Sequence, residues 1–310
     1  MARKRPRKKT SRKKSSSSNK GCLFVLGLIV VIGAGAWVFS LPKHERQDAV
    51  IWLLDVYDWG EKGFKGPLPE RIVRFQVDDI PPGQYTFGGV PLSDEEFRLL
   101  PKNGFLVAYD EDRKNPAWVA YKIEGKARYP SYERPESFSP DKQTVSRIEH
   151  EDYTGSGYDR GHMAPNSVIA TRYGKEAQED TFLMSNIVPQ APHLNQGLWR
   201  ELEGKVANKY SRHFDTIYVI TGPIYDNETE RLKSGVEIPD SFFKIILGKN
   251  KNGVTALAVV MGQGIGQRTS LSNTIVSIQN IEMLTGFDFF HELPDDQENR
   301  LETIQRSREW

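Results

Sequence analysis

Residues 21–41, GCLFVLGLIVVIGAGAWVFSL, run for twenty-one positions without a charge. At about 1.5 Å of rise per residue a helix of that length reaches roughly 31 Å, the hydrocarbon thickness of a bilayer. A helix in a soluble core keeps a polar stripe, and this one has none. It reads as a single transmembrane helix. The preceding MARKRPRKKTSRKKSSSSNK carries ten Lys or Arg and no acid, so the positive-inside bias puts residues 1–20 in the cytoplasm and everything from about residue 42 outside. The rival reading is a signal peptide cleaved near Ala36, where AGA offers a small-residue cleavage site, giving a secreted protein. In both cases the rest of the chain is exported.

Removing that basic end changes the character of the chain. The whole sequence has 42 Lys and Arg against 41 acids; eleven of the bases lie before residue 44, which leaves 31 against 41 and a charge of about −10. The only cysteine, Cys22, falls inside the apolar span, so the exported part is held by its core without an intramolecular disulfide, and thiol catalysis and thiolate zinc sites are excluded.

ERQDAVIWLLDVYDW at 45–59 has helical spacing and is succeeded by a Gly- and Pro-rich passage, which assigns residues 42–95 to a juxtamembrane helix and linker and 96–310 to the main domain. In that domain GFLVAYD and AWVAYKI flank the turn-prone EDRKNP and predict a hairpin. TIYVITG from 216, FFKIILG from 242 and VTALAVVMG from 254 predict further strands, and a helix is expected between Thr274 and Leu284. The pattern is α+β with a central antiparallel sheet and flanking helices. It contains neither a G-x-x-x-x-G-K nor a G-x-G-x-x-G phosphate loop.

Polar residues of catalytic type cluster in two stretches. The first is YDRGHMAP at 158–165; the second is DTFLMSNIVPQAPHLNQGLWRELEGKV at 180–206. A helix beginning near Leu194 would bring Asn195, Trp199 and Glu203 to one side at i, i+4 and i+8. Taken singly these residues have simple structural readings: Asp-Gly turns for the first stretch, a helix N-cap for Asn195, core packing for Trp199 and His193. His44, His150, His213 and His291 have no partner motif.

DRGH at 159–162, SNIVPQ at 185–190, LNQGLW at 194–199 with Glu203 beyond it, and TGPIY at 221–225 together resemble the DNA/RNA non-specific endonucleases of the ββα-metal (His-Me finger) class, endonuclease G among them, in order and near spacing over residues 100–290. The resemblance implies a ββα-metal nuclease fold with His162 as general base, Asn195 as the one side chain bound directly to the metal, Glu203 holding a metal-bound water and Arg160 at the phosphate. A further phosphate arginine is expected upstream, where RYPSYERPESFSPD offers Arg134 and Arg128; the R-x-x-x-F-x-x-D spacing selects Arg134, with Arg128 in reserve. Asp159, through backbone hydrogen bonds, and Asn186 are expected to support the loop around His162.

The chemistry suits these assignments. A neutral imidazole deprotonates the attacking water, and Mg²⁺, with Mn²⁺ as a substitute, offsets charge growing on phosphoryl and leaving oxygens. Eight residues of continuous helix span about 12 Å, too far for Asn195 and Glu203 both to touch one ion, so Glu203 acts through water. A basic strip around Arg134 and Arg160 reconciles the acidic domain with a nucleic-acid substrate. The expected partners are DNA and RNA, the membrane through residues 21–41, and optionally a second copy in a homodimer. The competing functions are a catalytically inactive nuclease-fold DNA receptor at the cell surface and a cytoplasmic arm, residues 1–20, that binds nucleic acid or anionic lipid.

Overall fold

The structure, a computed structural model, describes residues 84–226 and 230–310. The basic tail, the span at 21–41, the cleavage site near Ala36 and the juxtamembrane helix lie outside the described residues. Among the described residues no helix is long and apolar enough to cross a membrane.

Seven strands form one antiparallel sheet in the order β1-β2-β3-β6-β7-β8-β9: β1 Arg98–Lys102, β2 Phe105–Asp110, β3 Asn115–Glu124, β6 Thr216–Ile224, β7 Ser241–Asn250, β8 Gly253–Gly262 and β9 Ile275–Val276. The expected hairpin is β2–β3. Asp110 closes its turn by accepting from the backbone N–H groups of Asp112 and Arg113 at 2.8 and 2.9 Å, and Lys114 takes the left-handed φ of 56° that the reversal requires.

Because side chains alternate along a strand, each central strand feeds two cores. Val119, Tyr121 and Ile123 of β3 share one face with Ile217 and Val219 of β6 and with Phe242 and Ile246 of β7. Phe243 projects to the other face and meets Phe287 and Phe289 at ring distances of 6.4 and 5.8 Å. Both faces are covered, which is why these strands read as continuous apolar runs.

The second face is closed by both ends of the described chain. Phe87 packs on Tyr218 at 5.6 Å and on Phe290 at 6.5 Å, and Leu92 exchanges backbone hydrogen bonds with Asp288. Residues 84–95, assigned above to the linker, are therefore part of the packed domain. The expected helix at 274–284 also shifts. Ile275–Val276 pairs with β8 as an edge strand, and helix α4 (Ile278–Thr285) starts only after Ser277, whose hydroxyl accepts from Asn280 N and caps it.

Over the first face lies a smaller unit. β4 (Asp159–His162) pairs antiparallel with β5 (Ile187–Gln190), joined through helices α1 (Asn166–Tyr173) and α2 (Lys175–Thr181), and leads into the helical segment 192–208. Trp199, Leu202 and Val206 of that segment bury against the sheet. The segment is not the continuous helix expected from Leu194. One turn at Pro192–Leu194 passes into a π-helical turn at Asn195–Trp199, broken at Gly197 (φ −102°, ψ −113°), before regular α3 at Arg200–Asn208. A π turn inserts a residue and rotates the helix on its N-terminal side relative to the helix on its C-terminal side. Asn195 and Glu203 therefore do not lie on one continuous helix, which removes the premise of the 12 Å spacing argument.

Candidate active site

The motif DRGH is the whole of β4. Gly161 faces Gln190 of β5 so closely that a Cβ there would lie 2.5 Å from Gln190 Oε1. His162 ends the strand between two rings, with centroids 5.3 Å from Phe138 and 5.1 Å from Phe182. Its Nε2 is buried with no hydrogen-bond partner although the ring keeps partial exposure. Burial first, and then the Arg134 charge, push the imidazole down to about 3. His162 is thus a neutral base at physiological pH.

Asp159 accepts from Asn195 Nδ2 and Gln196 Nε2, both at 2.8 Å. This corrects the expectation of backbone bonds: the carboxylate reaches across to the π turn. A carboxylate can only accept, so the amide of Asn195 must turn its nitrogen to Asp159, and its Oδ1 is left for another partner. Nor does the Asn195 side chain cap a helix. Asn186 braces the segment just beyond the ribbon: its Oδ1 accepts from Ala164 N at 2.8 Å, and its Nδ2 donates to the carbonyls of Ala164 and Thr181 at 3.0 Å.

The two upstream arginines part company. Arg134 is exposed, with its guanidinium 5.1 Å over the Phe182 ring that walls His162. Arg128 sits by α1, its backbone N–H donating to Thr171 O at 2.8 Å and its charge felt by the Tyr173 hydroxyl. Arg160 is tied down by the loop at 150–154: Nε and Nη2 donate to the His150 carbonyl, and Nη2 to Thr154 Oγ1 at 3.1 Å, which leaves Nη1 outside these bonds.

Residues outside the expected catalytic set complete the setting. Asp141 anchors the segment carrying Arg134 and Phe138, through a buried ion pair to Lys102 Nζ and a bond from Ser185 Oγ, each 2.6 Å. His150, given no role above, stacks on Phe138 at 5.8 Å. TGPIY is also structural, since Thr221 Oγ1 donates to Phe243 O and a Cβ on Gly222 would lie 2.4 Å from Ala117 O. Lys244 lies beneath Glu203, 3.9 Å from its Oε1. Burial pushes Glu203 up to about 7, against the pull of Lys244, and pushes Lys244 down to about 8. A lysine amid the apolar FFKIIL was the available signal. An open groove of about 480 Å³ on the outer side of the π turn, lined by His193, Gln196 and Glu201, borders Asn195 but is not lined by His162 or Glu203.

For a metal, the donor chemistry fits at Asn195. Its oriented amide oxygen is a hard neutral ligand of the kind Mg²⁺ or Mn²⁺ accepts while keeping most of its waters. Glu203, 17 % exposed on its side chain, stands on the next helix.

A two-strand ribbon ending in a neutral imidazole, with a helix beyond it that opens on an oriented amide, over an antiparallel sheet, is an α+β nuclease arrangement. Comparisons agree. The DNA/RNA non-specific endonuclease family matches residues 89–296, and the chain belongs to that family. It is 29% identical over 208 residues to human mitochondrial endonuclease G, covering 62% of this chain and 69% of that one. A nuclease from Nostoc sp. is 31% identical over 217 residues, 66% and 77% of the two chains. Xenopus laevis mitochondrial nuclease EXOG is 30% identical over 276 residues, 83% and 73% of the two. Among solved structures the EndoG/EndoGI complex superposes with a TM-score of 0.60 at 25% identity, over 69% of this chain and 91% of that one. The protein is a nuclease, a phosphodiester hydrolase acting on nucleic acid.

Proposed function

We propose that this chain is a membrane-anchored, exported, Mg²⁺-dependent endonuclease that cuts DNA and RNA with little sequence preference, leaving 5′-phosphate and 3′-hydroxyl ends. The observation that carries the reading is the neutral His162 beside Arg134, on a ribbon whose Asp159 fixes the Asn195 amide. Mg²⁺, or Mn²⁺ in its place, would be held by Asn195 Oδ1, and when bound it supplies positive charge to the phosphoryl and leaving oxygens.

His162 takes the proton from water as its oxygen forms the new bond to phosphorus; the bond from phosphorus to the 3′ oxygen breaks, and that oxygen takes up a proton from surrounding water to leave as the 3′-hydroxyl. Arg134 holds the phosphate, and Arg160 adds Nη1. The phosphate's own negative charge raises the basicity of His162 when substrate arrives, which offsets the low value set by burial and Arg134. Glu203 accepts from water beside the reacting group. Phe138 and Phe182 hold the imidazole in place.

A plasmid-nicking assay with and without chelator tests this. His162→Ala should lower cleavage by about 10² to 10⁴ while DNA binding is retained, and undiminished cleavage by that variant would refute the assignment. Topology has its own test, based on the basic tail and uncharged span. External protease should digest the nuclease domain and spare residues 1–20, whereas a soluble mature protein starting near Trp37 would show the signal peptide to be cleaved.

A further inference from the structure

One buried charge has no part in that mechanism. Lys244 lies in mid-β7, paired in register with Thr221 and Val259, in the row whose neighbours Phe242 and Ile246 are core. Its side chain is 0 % exposed. Nζ is 4.2 Å from the Trp199 ring centroid, 6.0 Å from that of Tyr121 and 3.9 Å from Glu203 Oε1. Lys244 Nζ, Glu203 Oε1 and Tyr121 Oη are buried and without hydrogen-bond partners, and the Trp199 indole lies close enough to Glu203 to favour its anion.

An ammonium there is costly for the fold. An apolar side chain of the same length would suit the row better, and replacing buried ion pairs by apolar groups is often neutral or stabilising. The ammonium rests on an indole face, where cation–π attraction is strongest among the rings, and Glu203 is the carboxylate within 4 Å of it. The charge is therefore set at a fixed depth directly below the helix that carries Glu203. Oε1 is buried toward it, while the side chain keeps 17 % exposure elsewhere.

We propose that Lys244 is a positioning residue of the nuclease reaction: its buried charge turns Glu203 Oε1 into the sheet, so that the remainder of the carboxylate is presented in one orientation, as an anion, to water in the active site. The inference rests on the role given to Glu203 above. Trp199 and Tyr121 are the supports of the ammonium.

The test is a double-mutant cycle on plasmid cleavage with the whole chain, using Lys244→Met, Glu203→Gln and both together, each checked by thermal melting. Lys244→Met should lower kcat by about 10- to 100-fold, the usual effect of losing a supporting partner, with KM for DNA unchanged and a lower melting temperature, because removing one member of a buried pair leaves the other uncompensated. In the Glu203→Gln background the same change should cost less than about threefold, since no anion is left to orient. Losses that multiply, or a Lys244→Met protein with undiminished kcat beside an impaired Glu203→Gln, would overturn the inference and leave the Glu203 assignment standing. Unimpaired Glu203→Gln would instead remove the role of Glu203 on which it rests. Should Lys244→Met not fold, Lys244→Gln takes its place in the cycle under the same criteria.

Discussion

His162 and Glu203 are displaced in opposite directions by the same cause, loss of water. The histidine is held down near 3, so the fold refuses a proton that the unfolded chain accepts near 6.5. Its contribution to stability is complete above about pH 6.5 and is lost as pH falls toward 3. The melting temperature should drop over that window, and His162→Ala should flatten the drop; an unchanged slope in the variant would contradict it. Glu203 is raised to about 7, so its contribution is complete below about 4.5 and is lost as pH rises through 7. If Glu203 works as an anion, the acid limb of kcat/KM, which reports the free enzyme, belongs to it and not to the histidine. That limb should lie well above pH 3 and vanish in Glu203→Gln. Persistence of the limb in that variant would assign it elsewhere.

Among the elements, the ribbon and the π turn act together. β4 brings Asp159 and His162 to its two ends, and the π turn brings Asn195 to Asp159. The break falls at Gly197, whose φ of −102° and ψ of −113° are non-helical. The Asp159–Asn195 bond should matter more for metal than for folding. Asp159→Ala is expected to raise the Mg²⁺ concentration needed for half-maximal cleavage by about 10- to 100-fold, with little change in melting temperature, because the bond is only part-buried. An unchanged Mg²⁺ dependence would show that Asn195 does not need this support. On the other flank, Asp141 steadies the segment that follows Arg134 and Phe138. It pins a loop that has no regular structure to Lys102 of β1 and Ser185 ahead of β5.

On the scale of the molecule, the nuclease domain is closed by residues from both ends of the described chain. Phe87 and Leu92 pack with Phe290 and Asp288, and Trp310 meets Phe214 at 4.7 Å and Tyr210 at 5.1 Å edge to face. A chain of residues 84–310 should fold and cleave plasmid as the full protein does, whereas one starting at residue 96 should melt lower because it leaves Tyr218 and Phe290 without Phe87. Equal melting temperatures for the two would show that residues 84–95 add nothing to stability. The long uncharged stretch and the basic tail supply, in our reading, the address of this domain and not its chemistry.

Local order was legible in the letters. The apolar runs around 105, 117, 216, 242 and 254 announced strands because a strand buried on both faces leaves no room for polar residues, and DRGH with the later Asn and Glu supplied the candidate residues of the site. Distances across the chain were not legible. That Asp159 would bind the Asn195 side chain, that Phe138 and Phe182 would wall His162, and that Lys244 would lie under Glu203 all depend on segments well separated along the chain meeting over one sheet face. The helix from Leu194 failed as an expectation for the same reason. Period 3.6 describes an isolated helix, while the π turn at Asn195–Trp199 joins a segment set by the ribbon to one set by the sheet. Sequence determined which groups are present and which stretches are apolar; tertiary packing decided which groups lose water and which face one another, and protonation and orientation are the result.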